Sequence, residues 1–102
     1  MSDTYRIVEL DIIRWAEARK IIPNAKPYTQ LMKAGSEMGE LFDAELKNNP
    51  KMIKDAIGDV MVCLVNYCAL KDIDIVECMN IAYQEIKDRK GYMTPDGTFV
   101  KE

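Results

Sequence analysis

Histidine is absent from this chain of 102 residues, and cysteine occurs only three times, at Cys63, Cys68 and Cys78, with no CxxC pair. Zinc sites draw on His and Cys, and a Cys-His nucleophile pair needs both, so neither is expected. Three thiols without pairing motifs read as reduced core cysteines of a cytoplasmic protein. Any metal would have to be held by oxygen ligands. A basic stripe is also missing: 14 Lys and Arg stand against 17 Asp and Glu, spread along the chain for a formal charge of −3, and nucleic acid is not an expected partner. No apolar run reaches the roughly 18 residues that span a bilayer, and "MSDTYRIVEL" carries no signal-peptide pattern. We therefore expect no membrane partner.

What remains has helical periodicity almost throughout. The spacing predicts one all-α domain over residues 1–102, a four-helix bundle with helices at about 5–20, 29–47, 51–70 and 74–90 and a tail over 91–102. Two prolines in "IIPNAKPY" break the first helix from the second. "NNP" ends the second, with Pro50 placed for the first turn of the third. Asp72 or Asp74 is the candidate N-cap of the fourth. In the tail, "PDG" signals a turn between short β-prone pieces, so a small hairpin or an extended arm is expected. Short connections favour antiparallel neighbours.

Within "DAIGDVMVCLVNYCAL", Asp59 and Asn66 are the strongly polar residues past Gly58. At about 100° per residue, Ile53, Ile57, Val60, Leu64 and Cys68 share one stripe, and Asp55, Asp59 and Asn66 share another. A carboxylate among apolar neighbours protonates or finds a partner, and an ion pair, a cap or a cation would each serve. On the preceding helix, Leu31, Ala34, Met38 and Leu41 form an apolar stripe with Glu37 at its edge. Glu40 lies one turn along, side by side with Glu37. These two like charges weaken the helix unless a cation bridges them. Antiparallel packing would let Glu37, Glu40, Asp55 and Asp59 meet across one groove. Carboxylates without His or Cys suit a hard cation, Mg²⁺ or Mn²⁺. The plain alternative is that all are solvated acids.

"QLMKAGSEMGEL" followed by "KDAIGDVMVCLV" resembles the MazG-like all-α nucleoside triphosphate pyrophosphohydrolases, whose pattern is EExxE on one helix and ExxD on the next. The resemblance runs from about Trp15 to about Arg89, and the ending "EIKDRKGYM" is similar to small phage-type members. It implies a four-helix unit that forms homodimers or dimers of dimers. It also implies Mg²⁺-dependent cleavage of an NTP or dNTP to the monophosphate and pyrophosphate. Glu37 and Glu40 match the ExxE ligands, and Asp59 matches the Asp of ExxD. Ser36 stands where the family has its first Glu. Ala56 stands where it has the Glu of ExxD, and Asp55 is the candidate to take over that role.

Glu37 or Glu40 is the candidate to orient the attacking water. Lys33, one turn before Glu37, could reach a phosphate, as could Lys87 and Arg89, whose plain reading is a basic helix C-terminus. Asn66 could bond to the base or sugar, or bridge helices as a core amide. Trp15 could stack on the base, although a core role is the commoner fate of tryptophan. A non-catalytic nucleotide-binding or regulatory oligomeric module of the same fold is the alternative to an enzyme, and a plain oligomeric interaction protein is a third reading.

Nearly half of the residues are hydrophobic, at 48%, and a domain this small buries little surface alone. We predict a homo-oligomer, at least a dimer. Light scattering at micromolar concentration checks this, and a mass of one chain would contradict it.

Overall fold

The same local device ends both of the long antiparallel helices that carry the acids, and it contains no glycine. The computed structural model describes residues 2–102. Its elements are α1 (Ser2–Ala18), a short turn α2 (Ile21–Asn24), α3 (Pro27–Leu46), α4 (Pro50–Leu70), α5 (Ile75–Ile86), β1 (Gly91–Met93) and β2 (Phe99–Lys101). The fold is mostly helical, and no helix among the described residues is long and apolar enough to cross a membrane.

At the end of α3, Asn48 adopts a left-handed φ of 50°. The Asn48 and Asn49 N–H groups donate back to the carbonyls of Glu45 (3.0 Å) and Ala44 (3.2 Å), closing the last turn in a Schellman arrangement. Asn49 then caps α4 by accepting from the Met52 N–H at 3.2 Å, and Pro50 follows at the first turn. At the end of α4, Asp72 is left-handed at φ 56°. The Asp72 and Ile73 N–H groups donate to Ala69 (3.3 Å) and Cys68 (2.8 Å). Asp74 caps α5, accepting from the Val76 N–H at 2.9 Å. Asn and Asp tolerate the left-handed region, so "KNNP" and "KDID" do here what glycine commonly does.

These turns lay α3 and α4 against each other antiparallel, α1 packs on α4, and α5 touches α4 near their connection. The buried apolar residues are mostly small: Ala16, Ala34, Ala44, Ala56, Cys63 and Val65, with Ile75 at the base of α5; Glu9 and Asn66 are the buried polar ones. Alanine at the α3–α4 contact lets the two backbones approach closely. Larger apolar side chains remain open, Leu31, Met38, Phe42, Ile57 and Ile81 among them. The radius of gyration is 16.3 Å, against about 13 Å for a compact chain of this length.

Several expectations are corrected. The first helix begins at Ser2, before the expected residue 5, and ends at Ala18 because Lys20 turns left-handed at φ 65°. Pro27 does not delay the second long helix but starts it, since a first-turn proline costs no hydrogen bond. The last helix stops at Ile86 and not near residue 90, as the Arg89 N–H bonds the Ile86 carbonyl in a tight turn. The tail is the hairpin, with Tyr92 opposite Val100. Its loop is held by Thr98 N–H donating to Thr94 Oγ1 at 3.1 Å, and by Gly97 at φ 89°. The face of α4 that is most buried is not the Ile53–Ile57–Val60 stripe but the line of Ala56, Cys63 and Asn66. Only Cys63 is a core thiol. Cys68 is half-buried and Cys78 is exposed, both free.

Arg6 ties α1 to the cap of α5. Its guanidinium donates to Glu9 Oε1 at 2.6 Å and to Asp74 Oδ2 at 3.0 Å. Arg6 holds the Asp74 carboxyl below the usual range, and the capped N–H groups of Val76 and Glu77 add to the effect. Such a group contributes stability that is present above the ordinary carboxylate range and is lost as pH falls through the lowered value. We expect Asp74→Ala to lower the melting temperature by several degrees at pH 7. The gap to the wild type should narrow below the ordinary carboxylate range. Circular dichroism melts at pH 7 and pH 3 check both parts.

Candidate metal centre

Glu37 and Glu40 are one turn apart on α3, and the antiparallel course of α4 sets Asp59 opposite them. One carboxylate oxygen from each of the three lies within 4.8 Å of the others. Glu37 is half-buried, and Glu40 and Asp59 are exposed. This corrects the expectation that Asp59 sits among apolar neighbours: the small α3–α4 contact residues leave its turn of the helix open on one side.

The geometry is electrostatically unfavourable as it stands. Glu37 Oε2 is buried and without a hydrogen-bond partner. The adjacent Glu40 carboxylate, with which Glu37 can share a proton, raises the Glu37 pKa above the usual range. Partial burial and the charges of Glu40 and Asp59 add to this, and Lys33 opposes it. With both carboxylates ionised no donor lies between them, so a proton or a cation must supply the missing positive charge. An oxygen-only donor set of this kind fits Mg²⁺ or Mn²⁺. Three carboxylates leave about half of an octahedral shell for water or phosphate oxygens.

Cys63 is buried beside this group; burial pushes its thiol up, Lys33 opposes, and Glu37 and Asp59 add.

Several grooves border the trio, and two of them hold the other candidate residues. One, of about 350 Å³, is lined by Glu40, Asp43, Lys47, Asp55 and Asp59. The other, of about 450 Å³, lies between α1 and the α3–α4 pair and is lined by Val8, Asp11, Ile12, Trp15, Lys33 and Asp59, with Val62 beneath. Asp55 therefore borders the first groove but is outside the trio. Ala56, where the resemblance puts a ligand, is 5% exposed and lines the first groove.

The other candidates divide. Lys33 and Trp15 face the second groove, and Trp15 is 44% exposed, so it is not a core residue. Arg19 stacks over its ring at 5.3 Å. Asn66 is 2% exposed and lines neither groove; its Oδ1 has no partner. Lys87 and Arg89 are exposed beyond α5 and line neither groove. Asp11 was missed. It stands one turn before Trp15, and helical spacing on α1 would have put the two on one face.

The chain matches no family model, and no solved structure matches it. It is 37% identical over 76 residues to an uncharacterized 18.2 kDa protein from the rep-hol intergenic region of Haemophilus phage HP1 (strain HP1c1). That similarity takes in 74% of this chain and 46% of the phage protein, so the chain spans less than half the length of that relative.

A group whose pKa is raised in the fold contributes stability that is complete below the ordinary carboxylate range and is lost as pH rises through the raised value. The contribution of Glu37 is therefore lost as pH rises, and a cation at the trio would relieve the repulsion between its carboxylates. We expect millimolar Mg²⁺ to raise the melting temperature by a few degrees at pH 7.5, through its preference for the folded state. The gain should shrink as pH falls towards the ordinary carboxylate range, where protons compete. Calorimetry across this pH series checks it, and Glu37→Gln should remove most of the gain.

Proposed function

We propose that the chain is a Mg²⁺-dependent nucleoside triphosphate pyrophosphohydrolase of the MazG-like type. It would cleave an NTP or dNTP between the α and β phosphates to give the monophosphate and pyrophosphate. The observation that carries this is the convergence of Glu37, Glu40 and Asp59 from two helices on one point, with oxygen donors only. The α1, α3, α4 and α5 helices make up the four-helix unit of that fold type. Its working form is a homodimer or a dimer of dimers, which covers apolar residues such as Met38, Phe42 and Ile81 that one chain leaves open. The cytoplasm, where its substrate is found, is its place of action.

The reaction requires that phosphate charge be neutralised and a water be aligned with phosphorus. A divalent cation bound by the trio supplies the charge neutralisation. Glu37 or Glu40 would orient the water, and the Glu40 carboxylate beside Glu37 raises the latter's pKa above the usual range, in the direction a general base requires. Lys33, at the other edge of the trio, meets a phosphate oxygen. Asp55, on the rim of the neighbouring groove, would add negative charge beside a bound cation.

A second reading has its own support. Ala56 is buried where the family pattern has a ligand, and this favours a module of the same fold that binds nucleotide without cleaving it. Turnover separates the two. We expect monophosphate and pyrophosphate from a panel of NTPs and dNTPs with Mg²⁺. Asp59→Asn should lower turnover at least a hundredfold, because the amide keeps the size but loses the charge that holds a hard cation. As Asp59 is exposed, its melting temperature without Mg²⁺ should hold. A folded Asp59→Asn protein with full turnover would contradict the metal-centre reading. Nucleotide binding without products from the wild type would favour the non-catalytic one.

A further inference from the structure

The joint between α4 and α5 turns on one residue, Ile73, and sets a cysteine on either side of it. At the end of α4 the Ile73 N–H donates to the Cys68 carbonyl at 2.8 Å, and the Asp72 N–H donates to Ala69 at 3.3 Å. This pair of bonds is the Schellman turn, in which the residue in the place of Ile73 commonly packs on the one in the place of Cys68. At the start of α5, Asp74 is the cap, and the Cys78 N–H donates to the Asp74 carbonyl at 3.1 Å. The residue before a cap commonly packs on the one four positions into the helix, and here these are Ile73 and Cys78. The end of one helix and the start of the next therefore direct Cys68 and Cys78 to the same place. Burial, and after it the neighbouring Cys78, push the Cys68 thiol up, and the two sulfurs are near enough to share a hydrogen bond. Cys68 is half-buried, Cys78 is exposed and both are free. Cys63 is buried elsewhere on α4, beside the carboxylate trio.

We infer that Cys68 and Cys78 form a reversible dithiol–disulfide couple that closes across the α4–α5 joint by exchange with a small disulfide such as glutathione disulfide. The exposed Cys78 reacts first. As the thiolate it attacks one sulfur of glutathione disulfide; a mixed disulfide forms, the glutathione S–S bond breaks and one glutathione thiolate leaves with the proton that Cys78 gave up. Cys68, already beside it, then loses its proton and attacks the Cys78 sulfur. The Cys68–Cys78 bond forms, the mixed disulfide breaks and a second glutathione leaves as the thiol. The protein dithiol is oxidised by two electrons, and one glutathione disulfide is reduced to two glutathiones. Excess glutathione runs the same steps backwards, which suits a reducing compartment where disulfides are mostly transient and redox-sensing. The bridge adds a covalent tie at the joint that Asp74 caps and Arg6 reaches from α1. It does not depend on the chemistry of the carboxylate trio.

The test equilibrates the full chain with mixtures of reduced and oxidised glutathione, blocks the remaining thiols with N-ethylmaleimide, and reads intact mass and peptide linkage. The expected product carries one Cys68–Cys78 bridge within the chain, no glutathione, and one blocked thiol at Cys63. It should form at a glutathione ratio at least tenfold more reducing than is needed for the same bridge in the chain unfolded in guanidinium, because the fold holds the two sulfurs together. The bridged protein should melt a few degrees above the reduced one, a modest gain because the closed loop is short. Cys68→Ser should stop at a glutathione adduct on Cys78, and Cys78→Ser should slow the reaction of Cys68 with glutathione disulfide at least tenfold. Melting curves establish that the reduced variants are folded, and the wild-type comparison decides even where a variant is not. A glutathione adduct that persists on Cys78 of the wild type, a link between the Cys78 residues of two chains in place of the internal bridge, or a bridge that forms no more readily in the folded chain than in the unfolded one would overturn the proposal.

Discussion

Three carboxylates are held within 4.8 Å of one another in a protein with no histidine and no metal-binding cysteine pair, and the rest of the structure is organised around tolerating that repulsion. Free helices would splay to separate such charges. Here α3 and α4 pack closely along their length, with Ala34, Ala44 and Ala56 buried, and their shared turn is closed by Asn48 and Asn49. Close packing fixes the distance between backbones, and the backbones fix the acids. The Glu40 carboxylate, and after it partial burial, then raises the Glu37 pKa above the usual range. Small residues in the contact are thus a condition of the site as well as a feature of the core.

The same choice leaves the single chain thin. Alanines bury little apolar area, and α5 and the hairpin carry Tyr83, Ile86, Tyr92, Met93 and Phe99 in the open. What holds α5 in place within one chain is mostly its N-terminal end: Ile75 is buried, and Asp74 both caps the helix and receives Arg6 from α1. Glu9 is nearly buried and stays in register because the same guanidinium reaches it. One arginine therefore joins two elements, α1 and the cap of α5, and its removal would loosen the first and last helices together.

How much of this was legible beforehand depends on the range of the interaction. Turn chemistry is local, so "NNP", the Asp74 cap and the "PDG" hairpin were readable from the residues themselves, as was the pairing of Glu37 with Glu40. The approach of Asp59 followed from one further step, antiparallel packing across a short loop. Errors arose where a third element decides the outcome. Angular arithmetic ranked Ile57 as core and Asp59 as enclosed, yet which face of α4 is covered depends on the small side chains of α3. Trp15 was expected in the core for the same reason: no rule of composition says that α1 turns it to a groove. Lys87 and Arg89 follow the end of α5 at Ile86 and line neither groove. Asp55 lies one turn before Asp59 and outside the trio.

The central claim is that Glu37, Glu40 and Asp59 share one divalent cation. The most direct measurement is X-ray diffraction from crystals grown with millimolar Mn²⁺, with anomalous scattering recorded at the manganese edge. The account predicts an anomalous peak at coordination distance from a carboxylate oxygen of each of the three residues, with the remaining positions taken by water. A well-ordered site without such a peak, its three carboxylates turned apart into solvent, would contradict it.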